Sequence, residues 1–345
     1  MKVRWTKAAL GHLTAIYEYI SLDSVFNPFG KLFMKRTLAL LFVISVGFAF
    51  AADPVYSKPT IEGVAYGTHP AQVLDFYKAK SDKPTPLAFF IHGGGWVAGD
   101  RRITDADKYL AKGISVVSIE YRFIADAIDA GIKPPVKWPL NDAARALQFV
   151  RSKASEWNID KARIGASGGS AGACSSLWLA FHNDLAEPQS TDPIARESTR
   201  LWCAAVNGAQ TTLDPKQMKE WTPNSRYGGH AFGFYPDHKD RKTRDTQFPQ
   251  FLAARESVLP WIKEYSPFEH ASAGDPPIYM IYGGPPAMGK EEKDPTHSAN
   301  FGVKLKEKLD ELKVECELVY PGAPDVKHRT MHEFLVDKLR SENKK

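Results

Sequence analysis

The sequence predicts an α/β fold built on a mostly parallel sheet, and three observations carry that prediction. Segments typical of strands alternate with segments typical of helices along most of the chain, the order that builds parallel sheets. Residues 87–91 are apolar throughout, as expected of a strand covered on both faces. A further apolar run, residues 162–167, leads directly into a glycine-rich turn, residues 168–172. Ligands of such a sheet are expected at the carboxyl ends of its strands.

The individual elements follow from short apolar runs and from helical periodicity. We predict strands at residues 73–77, 87–91, 114–121, 162–167, 201–206, 278–282 and 316–320. We predict helices at about residues 141–154, directly after the glycine-rich turn, and at about residues 296–312 and 329–339.

One long interruption, at about residues 210–275, separates two of these strands. It spreads tryptophan, tyrosine and phenylalanine through a background rich in lysine and aspartate. Long segments of this kind in compact domains are usually functional, and the aromatic content favours an ordered lid over the strand ends. The alternative is a structural excursion packed on the side of the domain.

Composition and charge describe a globular enzyme-sized chain. The 345 residues are 43% hydrophobic and 25% charged, which excludes a disordered chain. The formal charge is +5, but residues 1–51 hold six Lys/Arg and two acidic residues, so the remainder holds 39 basic and 38 acidic residues. A balance near zero does not suggest a nucleic-acid surface. We expect the three cysteines, Cys174, Cys203 and Cys316, to be small core residues rather than nucleophiles.

The beginning of the chain predicts export. Lys35 and Arg36 precede a 13-residue apolar run, and Ala49-Phe50-Ala51 has the form of a signal-peptidase cleavage site. Residues 34–51 are therefore interpreted as a signal peptide, which predicts a secreted or periplasmic protein and no stable membrane anchor after cleavage. The apolar run is shorter than the ~20 residues that span a bilayer. Met1 and Met34 remain alternative starts.

Residues 1–27 show a strand-like run followed by an amphipathic helical pattern, from Met1 to Ile20. This segment resembles the start of ParE/RelE-type toxins, over less than a tenth of the chain. We interpret residues 1–33 as a toxin-like remnant or a misplaced start, followed by the signal peptide and a catalytic domain at residues 52–345.

The turn Gly168-Gly169-Ser170-Ala171-Gly172 matches the G-x-S-x-G pattern of a nucleophile elbow. In that arrangement a strand turns sharply into a helix and holds a serine hydroxyl above the sheet. Side chains at Gly168 or Gly172 would collide with neighbouring backbone. Ser170 is therefore the candidate nucleophile.

A second glycine motif, His92-Gly93-Gly94-Gly95-Trp96, follows the predicted strand at residues 87–91. Backbone N–H groups stabilise the oxyanion that forms when a serine attacks a carbonyl. We predict that Gly94, Gly95 and Ala171 supply them. His92 precedes the glycines and is expected to hold the loop by a hydrogen bond rather than to act as a base.

Together with Gly99-Asp100, Tyr121-Arg122 and Ser266-Pro267-Phe268, these motifs resemble the α/β-hydrolases of the hormone-sensitive-lipase-like, BD-FAE-like carboxylesterase group. The resemblance covers roughly residues 57–339. It implies an α/β-hydrolase fold with an eight-stranded sheet, helices on both faces, a catalytic triad in the order serine, acid, histidine, and a carboxylic-ester substrate. It implies no metal or organic cofactor.

In that family pattern the acid follows the strand at residues 278–282, and here a Gly/Pro-rich loop intervenes. We assign Asp294, which stands in an Asp-Pro pair before the next predicted helix, with Glu291 and Glu292 as alternatives. Asp294 could instead be only a helix N-cap. Which of these carboxylates is the acid stays open at this point.

The base is expected after the last strand, where the loop at residues 321–328 ends in His328. We favour His328 over His332, which lies in the predicted final helix, because a base must first satisfy geometry. The predicted triad is thus Ser170, Asp294 and His328.

The expected activity is hydrolysis of carboxylic esters, including acetyl or feruloyl esters on carbohydrate. A serine peptidase or acyltransferase with the same triad, and a non-catalytic hydrolase-like binding protein, remain as alternatives. An RNA-directed function through residues 1–27 is a weaker alternative, because the rest of the chain shows no basic stripe.

Overall fold

The computed structural model describes residues 54–341. The interpretations given above for the toxin-like segment and the signal peptide lie outside the described residues. No helix within residues 54–341 is both long enough and apolar enough to cross a membrane.

A single sheet of eight strands organises the described residues, and its order is β1-β2-β4-β3-β5-β6-β7-β8. The first two pairings, β1 with β2 and β2 with β4, are antiparallel, and all others are parallel. This arrangement confirms the predicted α/β fold. The strands are β1 Ile61–Ala65, β2 Val73–Tyr77, β3 Thr85–Ile91, β4 Ser115–Ile119, β5 Ile159–Gly169, β6 Cys203–Asn207, β7 Ile278–Ile281 and β8 Cys316–Val319.

Eleven helices connect or flank these strands within the described part of the chain. They are α1 Ala106–Leu110, α2 Ile124–Asp129, α3 Lys137–Ser152, α4 Ala154–Trp157, α5 Ala171–Phe181, α6 Pro215–Trp221, α7 Phe248–Ala253, α8 Arg255–Tyr265, α9 Pro267–His270, α10 Ala299–Glu311 and α11 Met331–Arg340. Short 3₁₀ turns lie at Gly229–Phe232, Arg241–Thr243 and Pro295–His297.

The alternation of side chains along β3 separates the two halves of the core. Leu87, Phe89 and Ile91 point into the larger cluster, which α3, α5 and α10 cover. Ala88 points the other way, into a smaller cluster that α1 and α11 cover. Because successive strand residues face opposite sides, helices bury both faces and the central strands carry few polar residues.

The segment between β6 and β7 is largely helical and ordered by its aromatic residues. It contains α6 to α9 and two of the 3₁₀ turns. Its buried aromatic residues belong to the same cluster as the sheet; they are Trp221, Tyr227, Phe232, Tyr235, Phe248, Phe251 and Tyr265. This packing fixes the segment against the domain.

The cysteines are core residues, as predicted. Cys174 and Cys203 are buried, Cys316 is half-buried, and all three are free thiols. Burial raises the pKa of the Cys316 thiol to about 12 and raises those of the other two well above their usual range. Thiols held in the protonated form are poor nucleophiles.

Candidate active site

The nucleophile elbow joins β5 to α5 at Ser170. Ser170 has φ 52° and ψ −121°, a strained conformation for a residue with a side chain. Two glycines give the elbow its space: a Cβ on Gly168 would lie 2.5 Å from the carbonyl oxygen of Ile91, and one on Gly172 would lie 2.1 Å from the same atom. Because the backbone of Ile91 lies so close, both positions require glycine. The turn presents Ser170 at the carboxyl edge of the sheet.

Two side chains from the loop after β7 complete a chain of hydrogen bonds from Ser170. The hydroxyl of Ser170 lies 3.0 Å from Nε2 of His297. Nδ1 of His297 lies 2.8 Å from Oδ2 of Asp294. An ionised carboxylate only accepts hydrogen bonds, so Nδ1–H donates to Asp294, and Nε2 is left to accept the serine proton.

The local turn explains why Asp294 and His297 meet. Asp294 caps the 3₁₀ turn Pro295–His297, and its carboxylate also accepts a hydrogen bond from the backbone N–H of His297, at 3.3 Å. The ring of His297 packs on Gly208, where an added Cβ would lie 3.2 Å from it. The same aspartate thus caps a turn and holds an imidazole, so the two alternative roles weighed for Asp294 coincide.

His328 was the predicted base, and the structure contradicts that placement. Nδ1 of His328 lies 2.8 Å from a carboxylate oxygen of Glu317, and its Nε2 lies 3.4 Å from Asp337. The ring packs at a right angle to Phe334 of α11. Glu317 shares its register with Tyr279, which also packs on Phe334. The loop after β8 therefore folds His328 onto the α11 face of the sheet and not to the carboxyl edge where Ser170 lies.

Two of the alternatives weighed for base and acid, His332 and Glu292, have other partners. Nε2 of His332 lies 3.3 Å from the carbonyl oxygen of Lys108. Glu292 accepts a hydrogen bond from the hydroxyl of Ser298, the N-cap of α10. Sequence reasoning missed His297, although the spacing Asp294-Pro295-Thr296-His297 placed a histidine one turn after the acid.

The glycine loop after β3 has the backbone shape expected of an oxyanion hole. Gly94 and Gly95 have φ of 101° and 63°, in the region that favours glycine. A Cβ on Gly94 would lie 2.1 Å from the carbonyl oxygen of Ala98. Within the described residues, the N–H groups of Gly94, Gly95 and Ala171 donate none of the backbone hydrogen bonds formed by loops and turns.

His92 supports this loop from behind, as expected. Its ring stacks on Tyr121 and lies 2.9 Å from the carboxylate of Glu120 and 2.8 Å from the carbonyl oxygen of Gly93. The hydroxyl of Tyr121 donates to the carbonyl oxygen of His92, at 2.8 Å. These contacts fix the start of the loop without bringing His92 to Ser170.

The far end of the glycine loop is held by α5 and by the segment after β6. The indole N–H of Trp96 donates to the hydroxyl of Ser175, at 3.0 Å. Nε2 of the buried His230 lies 3.0 Å from the carbonyl oxygen of Gly95. Burial lowers the pKa of His230, which keeps the ring neutral with Nε2–H as the donor.

Two cavities meet at Ser170 and His297. The larger, of about 920 Å³, is lined by Gly93, Gly169, Ser170, Asn207, Gly208, Gly283, Gly284, Pro285, Glu292, Lys293, Asp294, His297 and Ala299. The smaller, of about 370 Å³, is lined by Gly94, Gly95, Val97, Ala98, Ser170, Tyr227, Arg241, Arg244, Asp294, Thr296 and His297. Two cavities on either side of a serine–histidine pair give room for the two halves of an ester.

A comparison with protein families decides the classification. The model of the BD-FAE family matches residues 74–309, which is more than half of the chain. The chain belongs to the BD-FAE family. The matched range contains Ser170, Asp294 and His297, and it ends before His328.

Two curated relatives of this BD-FAE protein are named as esterases. Esterase LipC of Mycobacterium tuberculosis is 33% identical over 235 residues, which are 64% of this chain and 49% of LipC. Versiconal hemiacetal acetate esterase of Dothistroma septosporum is 34% identical over 138 residues, which are 38% of this chain and 37% of that enzyme. The chain spans about half, or less, of the length of these relatives.

Solved structures show the same fold. A truncated carbohydrate esterase from gut microbiota superposes with a TM-score of 0.59 at 19% identity, over 84% of this chain and 99% of that one. Esterase 2 of Thermogutta terrifontis superposes with a TM-score of 0.55 at 23% identity, over 76% of this chain and 81% of that one. The α/β-hydrolase architecture of this BD-FAE protein is therefore confirmed.

One cluster of potential metal ligands lies elsewhere in the described part of the chain. Ligand atoms of His182, Glu264 and His270 lie within 4.8 Å of one another. His182 is the C-cap of α5, and the eleven residues of that helix separate it from Ser170 by roughly 18 Å. This cluster is too far away to touch a group that reacts at Ser170.

Proposed function

We propose that this BD-FAE protein is a serine carboxylesterase in which Ser170 is the nucleophile, His297 the base and Asp294 the acid. The observation that carries the proposal is the continuous hydrogen-bonded chain from Ser170 through His297 to Asp294, at 3.0 and 2.8 Å. The order serine, acid, histidine of the family pattern is kept, with His297 in place of His328.

The proposed mechanism begins with attack on the ester carbonyl. As the hydroxyl oxygen of Ser170 bonds to the carbonyl carbon, Nε2 of His297 takes the serine proton, and Asp294 stabilises the imidazolium and holds its tautomer. His297 then protonates the leaving alcohol. Water, deprotonated by the same nitrogen, attacks the acyl-enzyme and releases the acid.

The oxyanion would bind to the N–H groups of Gly94, Gly95 and Ala171. Support comes from the positive φ of both glycines and from the position of Ala171 at the first turn of α5. Donors that are fixed before the reaction stabilise the developing charge without reorganising. Ala171 also benefits from the helix N-terminus, which favours negative charge.

We further propose that the alcohol half of the ester is carbohydrate, with acetyl or feruloyl groups as the acyl half. The cavity of about 920 Å³ next to Ser170 is bordered by the polar side chains of Asn207, Glu292 and Lys293, which suits a hydroxyl-rich group. One similarly folded structure is described as a carbohydrate esterase and another as an acetyl ester-xyloside bifunctional hydrolase.

The direct test compares Ser170→Ala with the wild type on p-nitrophenyl acetate and on acetylated xylan. We expect kcat to fall by about 10⁴-fold or more while the melting temperature is kept, because the nucleophile is lost. Ser257→Ala, in an exposed position of α8, is the matched control and should keep full activity. Hydrolysis that survives in Ser170→Ala would contradict the proposal.

Export is proposed from the sequence of residues 34–51, with cleavage after Ala51. Expression from Met34 in a bacterial host should yield periplasmic protein that begins at Ala52, as read by N-terminal sequencing. Retention of the full apolar run in the exported protein would contradict cleavage.

A further inference from the structure

The smaller cavity beside Ser170 carries an unusual set of hydrogen-bond donors. Arg241, Arg244 and Tyr227, all from the segment after β6, line it together with the glycine loop and the serine–histidine pair. Neither the family pattern nor the proposed mechanism uses these three side chains.

Arg244 is held so that one edge of its guanidinium remains available. Its Nε and Nη2 both donate to Oδ2 of Asp245, with Nε at 3.0 Å. Nη1 makes no hydrogen bond to any described residue, and it lies against Gly95, where an added Cβ would come within 2.6 Å of it. The free edge of Arg244 thus lies beside the residue proposed to bind the oxyanion.

Tyr227 forms part of the wall of the cavity. Its side chain is 1% exposed, and its hydroxyl has no hydrogen-bond partner among the described residues. The guanidinium of Arg244 lies 5.2 Å from its ring centre. Burial raises the pKa of Tyr227, so the hydroxyl stays protonated. The hydroxyl oxygen has almost no accessible surface, so the part of Tyr227 that borders the cavity is its ring.

Two cationic side chains, Arg241 and Arg244, and one carboxylate, Asp294, line the cavity. Asp245 offsets Arg244, whereas Arg241 forms no ion pair with any described residue. The neutral ring of His297 donates a hydrogen bond to Asp294 and does not offset its charge. Arg241 therefore leaves one positive charge without a described carboxylate partner.

We propose that this cavity binds a carboxylate carried by the ester substrate, with Arg244 as its specificity-determining residue. Because Nη1 of Arg244 touches the oxyanion loop, the carboxylate lies only a few bonds from the ester carbonyl. A guanidinium is suited to carboxylate oxygens. This inference rests on the proposed esterase function. An acylated sugar acid would satisfy it together with the carbohydrate preference proposed above.

Two pairs of substrates distinguish the acyl half from the alcohol half. The first pair is monomethyl succinate and the neutral methyl 4-methylpentanoate, which place the carboxylate or its uncharged counterpart on the acyl side. The second pair is 3-acetoxybenzoate and 3-methylphenyl acetate, which do the same on the alcohol side. Release of acid is followed by pH-stat, and the measured quantity is the ratio of kcat/KM between the charged and neutral members.

We expect the wild type to favour the charged member of one pair by at least about 10-fold. Arg244→Gln should lower that ratio by about 10- to 100-fold, the range of a charge-assisted hydrogen bond. Arg241→Gln, which removes an exposed charge from the cavity lining, should lower it by about 1.5- to 5-fold, the range of an exposed ion pair. Arg226→Gln, in the same segment but exposed and outside the cavity lining, should leave the ratio unchanged.

A wild-type ratio at or below one for both pairs overturns the proposal, as does a ratio that Arg244→Gln leaves unchanged. If Arg244→Gln fails to fold, Arg241→Gln and the wild-type ratios still decide. The failure of the esterase function is distinguishable, because in that case p-nitrophenyl acetate and all four esters would remain intact. A preference lost in 1 M salt would support the role of charge.

Discussion

Single substitutions of His297 and of His328 show which histidine is the catalytic base and which has a structural role. His297→Gln removes the nitrogen that lies 3.0 Å from the hydroxyl of Ser170. General-base catalysis is worth about 10²- to 10⁴-fold, or about 2.7–5.4 kcal/mol of activation free energy. Because the ring of His297 is 38% exposed and lies at the cavity edge, we expect kcat to fall by that factor with little change in melting temperature.

His328→Gln should do the reverse. His328 is 8% exposed, and its ring and backbone N–H both contact the carboxylate of Glu317. Disturbing the hydrogen bonds of a partly buried carboxylate costs about 1–3 kcal/mol of unfolding free energy. Each kcal/mol lowers the melting temperature by about 2–4 °C in a domain of this size. We expect kcat to stay within about 3-fold of the wild type, since the site does not change.

The assay is hydrolysis of p-nitrophenyl acetate, with a melting curve for each variant. The reasoning is refuted if His328→Gln loses activity as Ser170→Ala does while His297→Gln keeps it. Equal large losses in both variants, with both folded, would also refute it, because the structure gives His328 no contact with the serine.

Three further predictions concern the elbow, the acid and the buried imidazole. Gly168→Ala should lower the free energy of unfolding by about 1–3 kcal/mol or more, because two backbone atoms lie 2.5 and 2.6 Å from its new Cβ. In the control Gly169→Ala, the nearest atom lies 3.9 Å from the new Cβ, so the free energy of unfolding should change little. Urea denaturation measures both variants. Asp294→Asn should reduce kcat by about 10²-fold. This loss is smaller than the ~10⁴-fold loss for a buried triad acid, because Asp294 is 65% exposed and solvent screens its charge. A kcat within 3-fold of the wild type would contradict its role. The pKa of His230 is lower in the folded chain than in the unfolded chain. Near pH 6.5 the unfolded chain therefore binds a proton that the folded chain does not bind. The folded state should be most stable above about pH 6.5 and lose stability as the pH falls below that value. His230→Gln should flatten this fall in melting temperature between pH 7 and 5 in part, since the pKa of His270 is also lowered by burial, and an unchanged slope would contradict the assignment.

Strands that are buried on both faces could be predicted from the sequence, because such strands consist mainly of apolar residues. The second strand has the predicted bounds, Val73–Tyr77, and the elbow follows its strand as expected. The first strand, Ile61–Ala65, was missed. Four of its five residues are exposed, and it contains Gly63, so an edge strand of this kind carries almost no hydrophobic signal.

The candidate site was predictable in part for the same reason. Ser170 and the glycine loop lie in local motifs. Close backbone contacts in these motifs require glycine, and glycines can be read directly from the sequence. His297 was not found because the family pattern placed the base after the last strand, and because a histidine beside an N-capping aspartate is ordinary in sequence. Its role depends on the fold, which brings the turn after β7 against the elbow. The composition of a short segment does not determine its distance from another loop of the chain.

Labelling with a fluorophosphonate, followed by peptide mapping, tests the central claim most directly, because the reaction requires a serine activated by its base. We predict a single adduct at Ser170, formed about 10²-fold or more slowly in His297→Gln and at the wild-type rate in His328→Gln. An adduct at another residue would contradict the account, as would labelling that depends on His328 and not on His297.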